Sequence, residues 1–320
     1  MPHLPSPMQF VKMHGIGNDY IYIDAFTDSA VEQNADWPEL TRAMSRRHTG
    51  IGADGVILVC RPLEPGAPHG AADVRMRMFN ADGSESEMCG NGVRCVARFA
   101  HDRLGVTARP MAVETGRGTL MIDYAVEDGA LTRATVDMGE PVLDLPDIPV
   151  DFEALAHTGA PAQSVCHLEL ELPGEPRTLV FTPVSMGNPH AVFFADANEE
   201  LFEPDLKNLE VDRIGPVIEH HGAFPRRINA HFVTVQSPSE LTMRTWERGT
   251  GETQACGTGA CAVLVAAALT GRAERHALIH LRGGDLRIEW RADNHVFKTG
   301  PATEAFEGTW APARIPAAAG

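Results

Sequence analysis

The chain has 320 residues, 43% hydrophobic and 22% charged, with a formal net charge of -16. That length suits two domains that each bury a core, and the acidity argues against nucleic acid or an anionic membrane as a partner, since both need a basic face. No stretch reaches the roughly 18 apolar residues that span a bilayer, and the N-terminal MPHLPSPMQF lacks the charged and apolar regions of a secretory signal, so a cytoplasmic place is expected.

Phe10 to Met13 and Tyr20 to Phe26 read as strands around a tight turn, His14 to Asn18. A helix is expected from Asp36, with Pro38 in its first turn, ending before Gly50. Val56 to Val59 reads as a short buried strand, and Asp73 to Phe79 alternates Val74, Met76 and Met78 with Arg75 and Arg77, the period of a half-buried strand. After a loop from Asn80 to Glu87 come Cys89 and then a helix from Val93 to Leu104, stopped by Gly105. Val113 to Val136 holds a hairpin turn at Asp128-Gly129. The proline-punctuated stretch from Pro141 to Pro161 is the candidate boundary, giving lobes over 8–147 and 148–310, with the last segment free to return to the first lobe. The second half repeats the order: strand Leu241 to Trp246, loop, Cys256, then a helix through Leu269 with almost no polar side. A hairpin at Asp293-Asn294 follows, and the tail APARIPAAAG should fray.

The repetition is written into the residues. Met76 to Gly92 reads MRMFNADGSESEMCGNG and Met243 to Gly259 reads MRTWERGTGETQACGTG; an offset of 167 relates Cys89 to Cys256, Arg77 to Arg244, Glu85 to Glu252 and Gly116 to Gly283. Gly17-Asn18 has its counterpart in Gly187-Asn188, at an offset of 170. The expected fold class is therefore α/β (α+β): two pseudo-symmetric lobes, each a mixed, mostly antiparallel sheet wrapped around a central buried helix, with the active site in the cleft between them.

A thiol at the start of each helix meets unpaired N–H groups and a partial positive charge, which favour thiolate. The backbone amides of Gly90, Asn91, Gly257 and Thr258 could bind a carboxylate there. Thiols on opposite faces of one carbon suit stereochemical inversion: one removes a proton, the other returns one. Cys60, Cys95, Cys166 and Cys261 read as small core residues. No nucleotide fingerprint and no metal-spaced His/Cys cluster is found, so neither cofactor nor metal is expected.

These segments resemble the diaminopimelate epimerase family: KMHGIGNDY at Lys12 to Tyr20, TGIGADG at Thr49 to Gly55, FNADGSESEMCGNGVR at Phe79 to Arg94, GNPH at Gly187 to His190, RIN at Arg227 to Asn229, and ERGTGETQACGTGACA at Glu247 to Ala262. The resemblance implies a cofactor-independent epimerase of lysine and peptidoglycan precursor synthesis. It would interconvert LL- and meso-diaminopimelate, with Cys89 and Cys256 as the acid/base pair and a homodimeric state. Asn18, Asn80, Asn188 and Asn229 carry amides able to serve both ends of a zwitterion; the plain alternative, above all for Asn18 and Asn188, is turn formation. Arg248 suits a carboxylate and Glu247 an ammonium group, against a surface ion pair. His190 resembles the histidine that helps set the protonation of the thiols, against a purely structural loop residue, and Arg94 could simply bind its loop. No role is assigned to Ala230-His231, and Gly55 stands where many relatives have Gln.

Other readings remain at this point. Proline and hydroxyproline racemases also use two cysteines, but tend to have MCGHG where this chain has Met88-Cys89-Gly90-Asn91-Gly92. A non-catalytic amino-acid binder would show no α-hydrogen exchange, and a thiol-disulfide enzyme would be expected to carry a local CxxC.

Overall fold

Ile16 and Gly17 both take positive φ, 53° and 87°. That two-residue turn matches the twist of paired strands, and it joins β1 (Met8–Gly15) to β2 (Asn18–Ala25). The computed structural model of the chain describes residues 7–33, 35–63, 72–151, 155–157, 165–172 and 175–311. It divides into two units: the described residues of Met1–Val136 with Gly300–Gly320, and those of Asp137–Thr299.

In the first unit, β2 is followed by α1 (Ala30–Gln33) and α2 (Trp37–Ser45). The Asp36 carboxylate caps α2 by accepting from Glu39 N at 3.1 Å, as the Asp36–Pro38 signal implied. Then come β3 (Gly55–Cys60), β4 (Val74–Asn80), β5 (Glu85–Ser86), α3 (Gly92–Leu104), β6 (Met111–Thr115), β7 (Gly118–Glu127) and β8 (Ala130–Asp137). Strand β2 runs antiparallel to β1 and parallel to β3; β4 is antiparallel to β3 and parallel to β6; β6, β7 and β8 form an antiparallel meander. Gly105 ends α3 at φ 70°, the left-handed conformation that a glycine takes without strain.

The second unit carries β9 (Ala156–His157), β10 (Cys166–Leu172), β11 (Glu175–Ser185), β12 (Pro189–Phe194), α4 (Val211–Glu219), β13 (Asn229–Ser237), β14 (Glu240–Glu247), β15 (Gly251–Glu252), α5 (Gly257–Leu269), β16 (His276–Leu281), β17 (Gly284–Trp290) and β18 (Val296–Pro301). Its pairings from β11 to β18 repeat those from β1 to β8 in kind and order: antiparallel, parallel, antiparallel, parallel across the helix, then a meander. The final strand, β19 (Thr303–Trp310), pairs with β1 in the first unit. Each unit is thus a mixed sheet about one buried helix, as the duplicated sequence led us to expect. α3 packs on β1 to β4 and β6, and α5 on β11, β12, β13, β16 and β17.

Small residues let the sheet close on α5. Ala260 through Ala267 are all 0% exposed, so the missing polar face of this helix reflects complete burial. Shared ion pairs brace each cysteine loop: Arg77 Nε lies 2.8 Å from Glu85 Oε1, and Arg244 Nε lies 2.8 Å from Glu252 Oε1. The tip of the meander touches the same loop in each unit. Gly116 N donates to Glu87 O and Gly283 N to Gln254 O, both at 2.9 Å, and a Cβ on Gly116 would sit 2.9 Å from Glu87 Cα.

The segment expected as a boundary packs, where described, into the second unit: Leu145, Ile148 and Val150 join its core. Residues 152–154 and 158–161 of that segment, and the C-terminal tail beyond Ala311, lie outside the described residues. Because Leu264 is fully buried, Leu264→Ala should lower unfolding free energy by about 2–5 kcal/mol. The same change at Leu269, 43% exposed at the helix end, should cost far less. Urea denaturation of the two variants checks the difference.

Candidate active site

Both thiols sit on the same local device. Cys256 is the N-cap of α5 in extended conformation, and its carbonyl accepts from Ala260 N at 3.0 Å. The Cys89 carbonyl accepts from Val93 N at 2.9 Å in the same way. In each case the sulfur accepts from the N–H three residues on: Gly92 N at 3.3 Å from Cys89 Sγ, and Gly259 N to Cys256. The first amides of a helix have no intrahelical partner, and Gly90 and Asn91 lie just before α3 while Gly257 and Thr258 open α5.

In the first unit, Cys89 is partly exposed. Its thiol donates to Asn18 Oδ1 at 3.3 Å, and Asn18 Nδ2 donates to Asp54 Oδ2 at 2.7 Å, so the carboxylate fixes which end of the amide meets the sulfur. Asp54 is itself held by Arg47 at 2.8 Å. Tyr20 lies against Cys89 and Asn18; burial first, and then the neighbouring sulfur, push its phenol well above the usual range, so it stays protonated. Asn80, at the end of β4, donates to Ser84 Oγ at 3.0 Å. Arg94 is fully buried and binds the loop from below: its guanidinium donates to Gly90 O, Asn91 Oδ1 and Pro301 O.

In the second unit, Cys256 is 2% exposed. Burial first, then the charge and hydrogen bond of Glu247, push its thiol well above the ordinary range, while Gly259 N–H and the Thr258 hydroxyl pull the other way. The thiolate expected from the helix start alone is therefore not favoured at Cys256, because burial outweighs the helix. Glu247 stands at the position matched to Asn80 and accepts from Thr253 Oγ1 at 2.5 Å. Asn188 donates through Nδ2 to Thr258 Oγ1 at 3.4 Å, and its Oδ1 lies 3.0 Å from His190 Nε2. His190 is fully buried rather than a loop residue, lying on β12. Burial, His231 and Arg248 hold its pKa well below the usual value, so it is neutral.

Asn229 is spent on backbone: Nδ2 donates to Pro189 O and Oδ1 accepts from Arg248 N, both at 2.9 Å. It fixes the start of the loop on which Arg248 is exposed. Glu219, at the end of α4, holds the residues on either side of Arg248: it accepts from Trp246 Nε1 at 2.7 Å and Gly249 N at 2.9 Å.

A family model for diaminopimelate epimerase matches residues 10–143 and 182–304. The chain belongs to the diaminopimelate epimerase family. A diaminopimelate epimerase of Desulfitobacterium hafniense is 46% identical over 301 residues, covering 94% of this chain and 97% of the relative. One from Moorella thermoacetica is 47% identical over 302 residues, covering 94% and 98%. Among solved structures, a probable proline racemase from Agrobacterium radiobacter shares the fold at TM-score 0.62 and 13% identity, covering 97% of this chain and 94% of that one. A phenazine biosynthesis protein of Bacillus anthracis does so at 0.57 and 14%, covering 95% and 99%.

Within this family framework, Tyr20 and Asp54 lie inside the quoted KMHGIGNDY and TGIGADG segments, yet spacing alone gave them no role. Gly55 has a structural reason: a Cβ there would sit 2.1 Å from Phe79 O. Glu219 and His231 had no motif signal, because their partners are distant in sequence. Among the described residues no cluster of three or more potential ligands could hold a metal, and no helix is long and apolar enough to cross a membrane.

The thiols differ in access and in chemistry. Burial pushes Cys60 up to about 12, and Cys95 and Cys166 up to about 11. Iodoacetamide at pH 8 should therefore label Cys89 on the native protein and spare Cys60, Cys95, Cys166 and Cys256. Peptide mass spectrometry checks this, and raising the pH should increase labelling at Cys256, because its thiol loses its proton only well above the usual range.

Proposed function

We propose that this chain epimerises diaminopimelate between the LL and meso forms by a two-base mechanism, in which Cys89 and Cys256 act on opposite faces of one α-carbon. The observation that carries the reading is the duplicated device itself: two cysteines at matched positions, each at the start of a buried helix and each accepting from a glycine N–H three residues on. One thiolate takes the α-proton, the carbanion flattens, and the other thiol delivers a proton to the opposite face; the roles exchange with direction. The amides of Gly90, Asn91, Gly257 and Thr258 stabilise the α-carboxylate as charge grows on it.

The remaining roles follow from chemistry at each side chain. Glu247 binds the substrate ammonium. Burial is the larger cause of the raised Cys256 thiol, and the Glu247 charge adds to it; pairing Glu247 with an ammonium removes that second part, so substrate binding itself makes Cys256 easier to ionise. Asn18, held by Asp54, and Asn188, held by His190, orient the two sulfurs and bind substrate polar groups. Asn80 and Arg248 grip the distal amino-acid end, with Asn229 holding Arg248 in place. The resemblance that supplies the substrate also implies a homodimer, and the sequence itself led to the expectation of a cytoplasmic setting; both belong to this reading.

Incubation of the reduced protein with LL-diaminopimelate in deuterated water should give meso product carrying α-deuterium. Cys89→Ala and Cys256→Ala should each slow inversion by about 10²–10⁴-fold or more, with circular dichroism unchanged. Near-normal inversion by either variant would remove the two-base assignment, and exchange on proline in place of diaminopimelate would remove the substrate.

A further inference from the structure

Behind Cys256 runs a line of five polar side chains from three strands, the bend before β12 and the start of α5. Thr245 Oγ1 meets His231 Nδ1; His231 Nε2 lies 2.8 Å from His190 Nδ1; His190 Nε2 lies 3.0 Å from Asn188 Oδ1; Asn188 Nδ2 lies 3.4 Å from Thr258 Oγ1; and Thr258 Oγ1 lies 3.8 Å from Cys256 Sγ. Thr245 is 3% exposed, and His231 and His190 are 0% exposed. Each imidazole uses both nitrogens within the line.

The order of donors follows from the far end. Thr245 is the last member, and His231 is the one hydrogen-bond partner of its hydroxyl among the described residues. A buried hydroxyl proton with nowhere to go is disfavoured, so Thr245 donates and His231 Nδ1 accepts. Burial holds the His231 pKa at about 3 and that of His190 well below normal, so each ring has one proton. The His231 proton must then be on Nε2 and point at His190 Nδ1. The His190 proton must be on Nε2 and point at Asn188 Oδ1. This fixes the amide so that Nδ2 faces Thr258, and the Thr258 hydroxyl is left with its proton free for the sulfur.

We propose that His231 is a positioning residue for Cys256: by locking His190 in its Nε2–H form it sets a one-way chain of donors, from Thr245 to Thr258, that ends on the Cys256 sulfur. The chain presents a donor to the sulfur as it becomes a thiolate, and complements the Gly259 N–H on the same atom. It is specific to one half of the molecule. The residue of β3 matched to His231 is Ile57, whose Cδ1 lies 2.7 Å from a Cβ built on Gly92, just as His231 Cε1 lies 2.3 Å from one built on Gly259. The same slot against the helix is filled by an alkyl group beside Cys89 and by an imidazole beside Cys256.

The inference rests on the acid/base role proposed for Cys256, but its first test needs no substrate. Long-range ¹H–¹⁵N NMR of the histidine-labelled protein at pH 7 should show both His190 and His231 neutral, with Nε2 protonated and Nδ1 bare. A spectrum with His190 protonated on Nδ1 overturns the proposal even if epimerisation is normal. If the tautomers are as stated but the protein does not epimerise diaminopimelate, the function fails and the chain stands. His231→Leu should release the His190 tautomer and lower kcat by about 10-fold with KM within about twofold, the loss of one charge-assisted hydrogen bond. His231→Gln, which keeps an N–H for His190 Nδ1, should recover most of that loss. A folded His231→Leu protein with unchanged kcat, or equal loss in both variants, overturns the positioning role.

Discussion

A sulfur that accepts from the N–H three residues on, at the start of its helix, needs a glycine there, because the neighbouring strand lies directly against it. A Cβ on Gly92 would sit 2.7 Å from Ile57 Cδ1, and one on Gly259 would sit 2.9 Å from Cys256 Sγ and 2.3 Å from His231. The chain meets this demand twice. Close approach of strand to helix start is what brings side chains of the middle strands within reach of each thiol. It also requires the helix to be sheathed by sheet, and so apolar and small-residued, as α5 is. The chemistry of the cysteines and the packing of the core are in this sense one constraint.

Starting from that shared frame, the surroundings of the two cysteines have diverged. Beside Cys89 stand an amide oxygen, a carboxylate behind it and a protonated phenol; beside Cys256 stand a carboxylate, a hydroxyl and a pair of neutral imidazoles. The position that is Asn80 in one unit is Glu247 in the other, and Tyr20 on β2 answers to His190 on β12. Such asymmetry suits a substrate whose α-carbon carries an ammonium and a carboxylate on different sides. Burial and the Glu247 carboxylate together hold the Cys256 thiol protonated, and neither has a counterpart of the same kind beside Cys89.

Much of this was legible in the residues. The offset of 167 marks the residues that form the equal ion pairs Arg77–Glu85 and Arg244–Glu252, and the glycines Gly116 and Gly283 whose contacts match, because a duplicated backbone keeps its tight approaches. Caps and turns at Asp36, Gly105 and Asp128-Gly129 were readable because they depend on local sequence. What could not be read depended on distant partners. His231 looks like any polar residue in a strand until His190 is placed 2.8 Å away. Glu219 gains its meaning from Trp246 and Gly249, and α4, which holds it, carries an internal Gly215-Pro216 that hides its helical pattern. The helix-start argument for thiolates leaves out burial, a tertiary property, and at Cys256 burial outweighs the helix.

The central claim is that Cys89 and Cys256 share one stereocentre, and a crystal structure with an unreactive diaminopimelate analogue tests it most directly. The account predicts the two Sγ atoms on opposite faces of the analogue's α-carbon, each within about 4 Å of it, with its carboxylate on the amides that open α3 and α5. An analogue bound with one sulfur at the carbon and the other remote from it would contradict the account.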